Sequence, residues 1–191
     1  MRTVIYVHGF NSSPLSKKAN MIKKKIDVLS TTISFFCPQL PELASSAMGL
    51  LSQLIEDAPP GDVCLIGSSL GGFYATWLAE RYGCRAVIIN PAITPHEDLK
   101  VYLGRQENIY THHSYFFTEK HLTELKDFYI SKLERPQLFF LIHATGDELL
   151  DWRIAKSHFA GSRQLIVEGG DHGFTEIEKF LGPAFSFLEI G

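Results

Sequence analysis

Ser69 stands at the centre of Gly67-Ser68-Ser69-Leu70-Gly71, a G-x-S-x-G pattern. The apolar run Val63-Cys64-Leu65-Ile66 precedes it, and a helix-prone segment from Phe73 to Tyr82 follows and stops at Gly83. A strand that turns sharply into a helix strains its middle residue and leaves little room for flanking side chains. Glycines at 67 and 71 meet that demand, so the serine at the tip can present its hydroxyl as a nucleophile. A helix starting at Leu70 adds unpaired N–H groups and a positive dipole end beside it. The same pattern also fits an ordinary Gly/Ser-rich turn, so the chemistry depends on partners elsewhere in the chain.

A serine hydroxyl needs an adjacent base, most often a histidine held by a carboxylate. His172 lies in Glu168-Gly169-Gly170-Asp171-His172-Gly173, a flexible loop after an apolar run, and is the expected base. For the acid, Ala144-Thr145-Gly146-Asp147-Glu148-Leu149-Leu150-Asp151 offers three carboxylates after another apolar run. Asp147 is nearest the strand end and is the expected orienter. Asp151 is the runner-up, because it can instead cap a helix starting at Trp152. Glu148 ranks third, and Asp171 is too close to His172 in sequence to reach its ring with good geometry. Acyl chemistry also needs donors for the developing oxyanion. The N–H of Leu70 and that of Phe10, in the loop His8-Gly9-Phe10, are expected to supply them, with His8 bracing the loop.

Six apolar runs are expected to be the strands that position these groups: Thr3–Val7, Ile33–Cys37, Val63–Ile66, Ala86–Ile89, Leu138–Ile142 and Gln164–Val167. Helical patterns separate most of them. In the first helix Leu15, Ala19, Ile22, Ile26 and Leu29 form one face, with Ser13-Pro14 as its expected start. Lys17, Lys18, Lys23, Lys24 and Lys25 are then read as its solvated side, with an anion-binding patch as the alternative. Leu43 to Ile55 is a second amphipathic helix, and Phe174 to Leu188 a closing one interrupted near Gly182-Pro183. Continuous apolar strands alternating with helices imply an α/β fold with a mainly parallel sheet. Residues 91 to 136 exceed what one crossover requires and hold four of the 7 tyrosines and four of the 8 histidines. This stretch is expected to form a small, mostly helical cap over the elbow. Its histidines (His96, His112, His113 and His121) are read as surface residues, and His143 as a packed one.

Composition limits the alternatives. A chain of 191 residues suits a single domain, 1–191, with the cap-like insertion at about 92–135. A net charge of -3 argues against a nucleic-acid partner. No apolar run is long enough for a membrane span, and no signal peptide is expected ahead of the first strand. Three cysteines without metal-type spacing point to a reducing, intracellular setting, and no metal site is expected.

These marks together resemble an α/β-hydrolase, and more narrowly the YqiA/YcfP-type small bacterial esterases. The resemblance rests on Tyr6-Val7-His8-Gly9-Phe10-Asn11-Ser12-Ser13-Pro14, Gly67 to Gly72, Ile89-Asn90-Pro91-Ala92, Tyr102-Leu103-Gly104, Gly146-Asp147-Glu148 and Gly170-Asp171-His172. It implies a compact, doubly wound six-stranded sheet in the order 2-1-3-4-5-6. It also implies a cofactor-free cytoplasmic esterase for a small-molecule ester, with Ser69, Asp147 and His172 as a triad in the superfamily's chain order. The alternatives are an acyl thioesterase, or a non-catalytic binding protein on the same fold. Oligomeric state is not legible in the residues.

Overall fold

A computed structural model describes residues 2–29 and 32–190. In chain order the main elements are β1 (Thr3–Val7), α1 (Lys17–Leu29), β2 (Ser34–Phe36), α2 (Ala44–Glu56), β3 (Val63–Ser68), α3 (Leu70–Tyr82) and β4 (Arg85–Ile89). Then come α4 (Pro95–Asp98), β5 (Gly104–Glu107), β6 (Ser114–Phe117), α5 (Glu119–Asp127), β7 (Phe139–Ala144), α6 (Trp152–His158), β8 (Arg163–Val167) and α7 (Leu181–Leu188). Six strands form one sheet in the order β2-β1-β3-β4-β7-β8, parallel throughout. This is the order expected from the sequence.

Alternate residues of each strand feed two separate cores, as a pleated strand buried on both faces requires. Ile5, Leu65, Ile88 and Leu141 pack with residues of α2, α3 and α5 on one face. Tyr6, Ile66, Ile89 and Ile142 pack with α1 and α7 on the other. The chain leaves β1 toward β2 on one side and resumes at β3 on the other. A crevice therefore opens at the carboxyl ends between β1 and β3, where such sheets gather their ligands.

Two local expectations shift. Helix α1 begins at Lys17, and Ser16 caps it by accepting from the Ala19 N–H at 3.2 Å. Ser13 instead holds a separate turn through the Leu15 N–H. Leu15 and Leu29 accordingly stay exposed, and the buried face narrows to Ala19, Ile22 and Ile26. The closing segment breaks where expected, with α7 starting at Leu181 and Pro183 in its first turn, a position that needs no N–H donor.

The insertion is not mostly helical. Besides α4 and α5 it contains the antiparallel hairpin β5–β6, with Gly104 opposite Phe117 and Glu107 opposite Ser114. Phe117, Leu122 and Leu125 enter the same core as α2 and α3, so the insertion is packed into the body. Glu124 of α5 accepts from both the Ser45 N–H and its hydroxyl, at 2.9 and 2.7 Å, tying α5 to α2.

Candidate active site

Ser69 adopts φ 57° and ψ −125°, a conformation that costs of order 1–3 kcal/mol for a residue with a side chain. Its surroundings hold it there. The Ser69 N–H donates to Ile89 O at 3.1 Å, and its carbonyl accepts from Gly72 and Ala92 at 2.9 and 3.2 Å. The flanking glycines are required by contact: a Cβ on Gly71 would lie 2.0 Å from Val7 O, and one on Gly67 2.4 Å from Gly71 O. Helix α3 is thereby pressed against the ends of β1 and β3, and Ser69 is pushed outward.

His172 arrives from the far edge of the sheet. After β8 the chain turns through Gly169 and Gly170, at φ 77° and 75°, values side chains disfavour. The His172 Nε2 then lies 3.1 Å from Ser69 Oγ, and its Nδ1 lies 2.9 and 3.1 Å from the two carboxylate oxygens of Asp147. Asp147 is held in turn, since its Oδ1 accepts from the Leu149 and Leu150 N–H groups at 2.9 Å each. Burial pushes the Asp147 carboxyl up, but the His172 ring and those two N–H donors outweigh it and hold the pKa below the usual carboxylate value.

The other acids occupy different places. Asp151 caps α6, accepting from the Arg153 N–H at 2.9 Å. Glu148 accepts from the His172 backbone N–H at 2.9 Å, and Asp171 Oδ1 from the Phe174 N–H at 2.7 Å. On the opposite side of Ser69, a Cβ on Gly9 would lie 3.1 Å from Ser69 Cβ, so the loop carrying Phe10 runs directly against the serine. Leu70 opens α3, and its N–H belongs to the first turn, which has no intrahelical acceptor. His8 donates from Nδ1 to Gly9 O at 3.1 Å and accepts at Nε2 from the Leu40 N–H at 3.3 Å, which braces this loop. Burial lowers the His8 pKa, in keeping with a neutral ring in that role.

Three features were missed at the sequence level. Asn90 is fully buried just past β4. It accepts from the Ala144 N–H at 2.9 Å and donates to Asp171 O and His172 O at 3.1 and 3.3 Å, clamping the loop that carries His172 to the end of β7. The available signal was an asparagine between the end of an apolar run and Pro91, a residue type that tolerates the positive φ of 40° found there.

Lys18 is the second. It is half-buried, with its Nζ 2.7 Å from Ser68 Oγ, and it lines the cavity of about 540 Å³ that also contains Ser69 and His172. Burial pushes its pKa down to about 8 against the opposing pull of Asp147 and Asp171. The expected solvated face therefore holds for its neighbours but not for Lys18: Lys23 pairs with Asp27 and Lys25 with Glu178 at the surface. Lys18 sits one turn before Ile22 on the buried side of α1, and that spacing carried the signal.

The third is the docking of the hairpin on the loop after β1. Asn108 donates to Ser12 O at 2.7 Å, and Tyr115 OH to Asn11 Oδ1 at 2.8 Å. Ile109 and Tyr110, from the hairpin's loop, line the Ser69 cavity. Of the insertion's histidines, His112 and His113 are exposed, whereas His121 is buried and completes a capping box with Thr118. Among the described residues no cluster of three or more His, Cys, Asp or Glu has metal-holding geometry. No helix among them is long and apolar enough to cross a membrane.

A parallel sheet in this order, a strained serine between strand and helix, and a histidine and an aspartate brought to it from later strand ends define an α/β-hydrolase fold. The chain belongs to the uncharacterised protein family UPF0227, whose model matches residues 3–189. It is 28% identical over 109 residues to a UPF0227 protein of Shewanella woodyi, a match that takes in 54% of this chain and 59% of that protein. Among solved structures, the alpha/beta hydrolase domain-containing protein 10 from mouse superposes with a TM-score of 0.72 at 15% identity, covering 97% of this chain and 90% of that one. Est1E from Butyrivibrio proteoclasticus gives 0.73 at 11% identity, covering 99% and 88%. At such identities the likeness speaks for the fold alone.

Proposed function

We propose that this protein is a serine esterase that hydrolyses carboxylic esters with small or medium acyl groups. The observation that carries this reading is the position of His172, with one ring nitrogen 3.1 Å from Ser69 Oγ and the other 2.9 Å from an Asp147 oxygen. Asp147 fixes the tautomer in which Nε2 is free to accept, so His172 can take the Ser69 proton as Oγ attacks the ester carbonyl. The Phe10 and Leu70 N–H groups are assigned to the oxyanion of the tetrahedral intermediate. The protonated His172 then gives its proton to the departing alcohol, leaving an acyl-enzyme. Water, deprotonated by the same ring, releases the acid and restores Ser69.

Such a cycle needs no metal or cofactor. A cavity of about 540 Å³ at Ser69 suits a small-molecule substrate. The assignment takes residues 1–191 as one domain, with the insertion as its cap. Three free thiols at Cys37, Cys64 and Cys84 fit a cytoplasmic setting.

The test is hydrolysis of 4-nitrophenyl esters of increasing chain length, with an acyl thioester in the panel and Ser69→Ala and His172→Ala alongside. Turnover of the shorter esters is expected, with kcat/KM lowered at least about 10³-fold in both variants. An inactive wild type whose Ser69 also resists a fluorophosphonate would leave a binding protein as the reading.

A further inference from the structure

The cavity beside Ser69 is lined by two lysines, Lys17 and Lys18, and by no aspartate or glutamate. Among the described residues Lys18 has no carboxylate within ion-pair distance, and its one hydrogen-bond partner is the neutral Ser68 hydroxyl. An ammonium has three protons to donate, so two of these remain without a protein acceptor. Removing a charge from water with so little compensation is costly, and such a group is normally paired or is given up. A surface lysine of α1 escapes that cost by turning outward, as Lys23 and Lys25 do. Lys18 instead reaches inward along the same helix to the residue that directly precedes Ser69 in the chain.

His172 lines this chamber too, and it must stand beside the leaving oxygen to protonate it. The alcohol half of the substrate therefore enters the space that Lys18 faces. We infer that the preferred substrates are esters whose alcohol half carries an anionic group, and that Lys18 is the residue that binds it. The inference rests on the serine-esterase reading and adds a substrate class to it. A charge-assisted contact made in this way is stronger than a neutral one and discriminates against uncharged esters of the same shape.

The experiment compares 4-(butyryloxy)benzoate with 4-(butyryloxy)benzamide, a matched pair that differs in charge, by following release of the phenol in wild type, Lys18→Met and Lys18→Gln. Ser69 occupancy is checked in each protein with a fluorophosphonate, and folding by thermal melt. Wild type is expected to favour the benzoate about tenfold or more in kcat/KM, mainly through KM, and both variants to lose that preference. A wild-type ratio near one, with Ser69 labelled normally, would overturn the anionic-substrate inference and leave the esterase reading standing. A preference that survives in both folded variants would overturn the role of Lys18. Absence of both turnover and labelling would remove the esterase reading and this inference together.

Discussion

Asp147 and Lys18 show how burial and neighbours compete over a charge at this site. Asp147 is held ionised by His172 and two backbone N–H groups, so its stabilising contacts are present above the ordinary carboxylate pKa and are lost only as pH falls through the depressed value. Asp147→Asn keeps the shape but misdirects the imidazole. We expect kcat to fall about 10²–10⁴-fold with KM little changed, read from initial rates on a short 4-nitrophenyl ester. Equal loss in Asp151→Asn would instead point to the capping residue as the orienter. For Lys18 the sign is opposite, because a lysine is charged below its pKa. With that value near 8, the preference for an anionic ester is expected to be full at pH 7 and to fade as pH rises through about 8. The titratable and polar groups sharing its cavity are Tyr6, Ser68, Ser69, Lys17, Tyr110 and His172, with Asp147 and Asp171 acting at longer range. A pH-independent benzoate-to-benzamide ratio between 7 and 9.5 would contradict this.

Between elements, the decisive contacts are polar clamps. Asn90 joins β4 to the end of β7 and to the loop after β8, and it is wholly buried. Asn90→Ala would orphan the Ala144 N–H and two carbonyls, a loss of about 1–3 kcal/mol in urea unfolding. It should also lower kcat on esters, because the loop that carries His172 loses its anchor. A variant with native stability and native kcat would show that the loop's other ties suffice, among them the 2.9 Å Gly146–Gly169 backbone contact and the His172 N–H bond to Glu148. The hairpin is clamped in the same manner through Asn108 and Tyr115. Tyr115→Phe removes the bond to Asn11 while keeping the ring, and should raise KM more than it lowers kcat, since it loosens a cavity wall and not the Ser69–His172–Asp147 line.

Across the whole molecule, several histidines are held neutral by burial. His8, His143 and His158 all have lowered pKa values, each chiefly because burial penalises the cation. Between the lowered values and about 6.5 the unfolded chain binds more protons than the folded one, so stability rises with pH across that window. Protonation of His8 would also abolish its acceptance from Leu40 and loosen the loop at Gly9. Thermal unfolding is therefore expected to shift down between pH 7 and pH 5, with each kcal/mol lost lowering Tm by about 2–4 °C in a chain of this size. A flat Tm over that range would mean these rings stay solvated in the folded state. His143 is the most confined of the three, with no exposed surface and a buried Nε2 that has no partner among the described residues.

The strand segments and the elbow were legible in the residues, the sheet order followed from the family resemblance, and His172 and Asp147 do come within hydrogen-bond distance of the Ser69 line. Local physics accounts for the segments: long apolar runs are buried as strands, and glycines flanking a serine between a strand and a helix permit a tight turn. The capping role of Asp151 was legible as well, because it directly precedes the helix at Trp152. Tertiary structure decided the rest. The polar run Gly104-Arg105-Gln106-Glu107 has no strand pattern, and it becomes β5 only because it pairs with β6 and its hairpin docks on the loop after β1. Lys18 shares its composition and its helix with four other lysines. Only packing α1 against the sheet turns that one inward, because periodicity reports which face is buried but not what lies opposite each position on it. Asn90 looked like a strand end, and its three bonds exist only once β7 and the loop after β8 have been brought to it from residues more than 50 positions away.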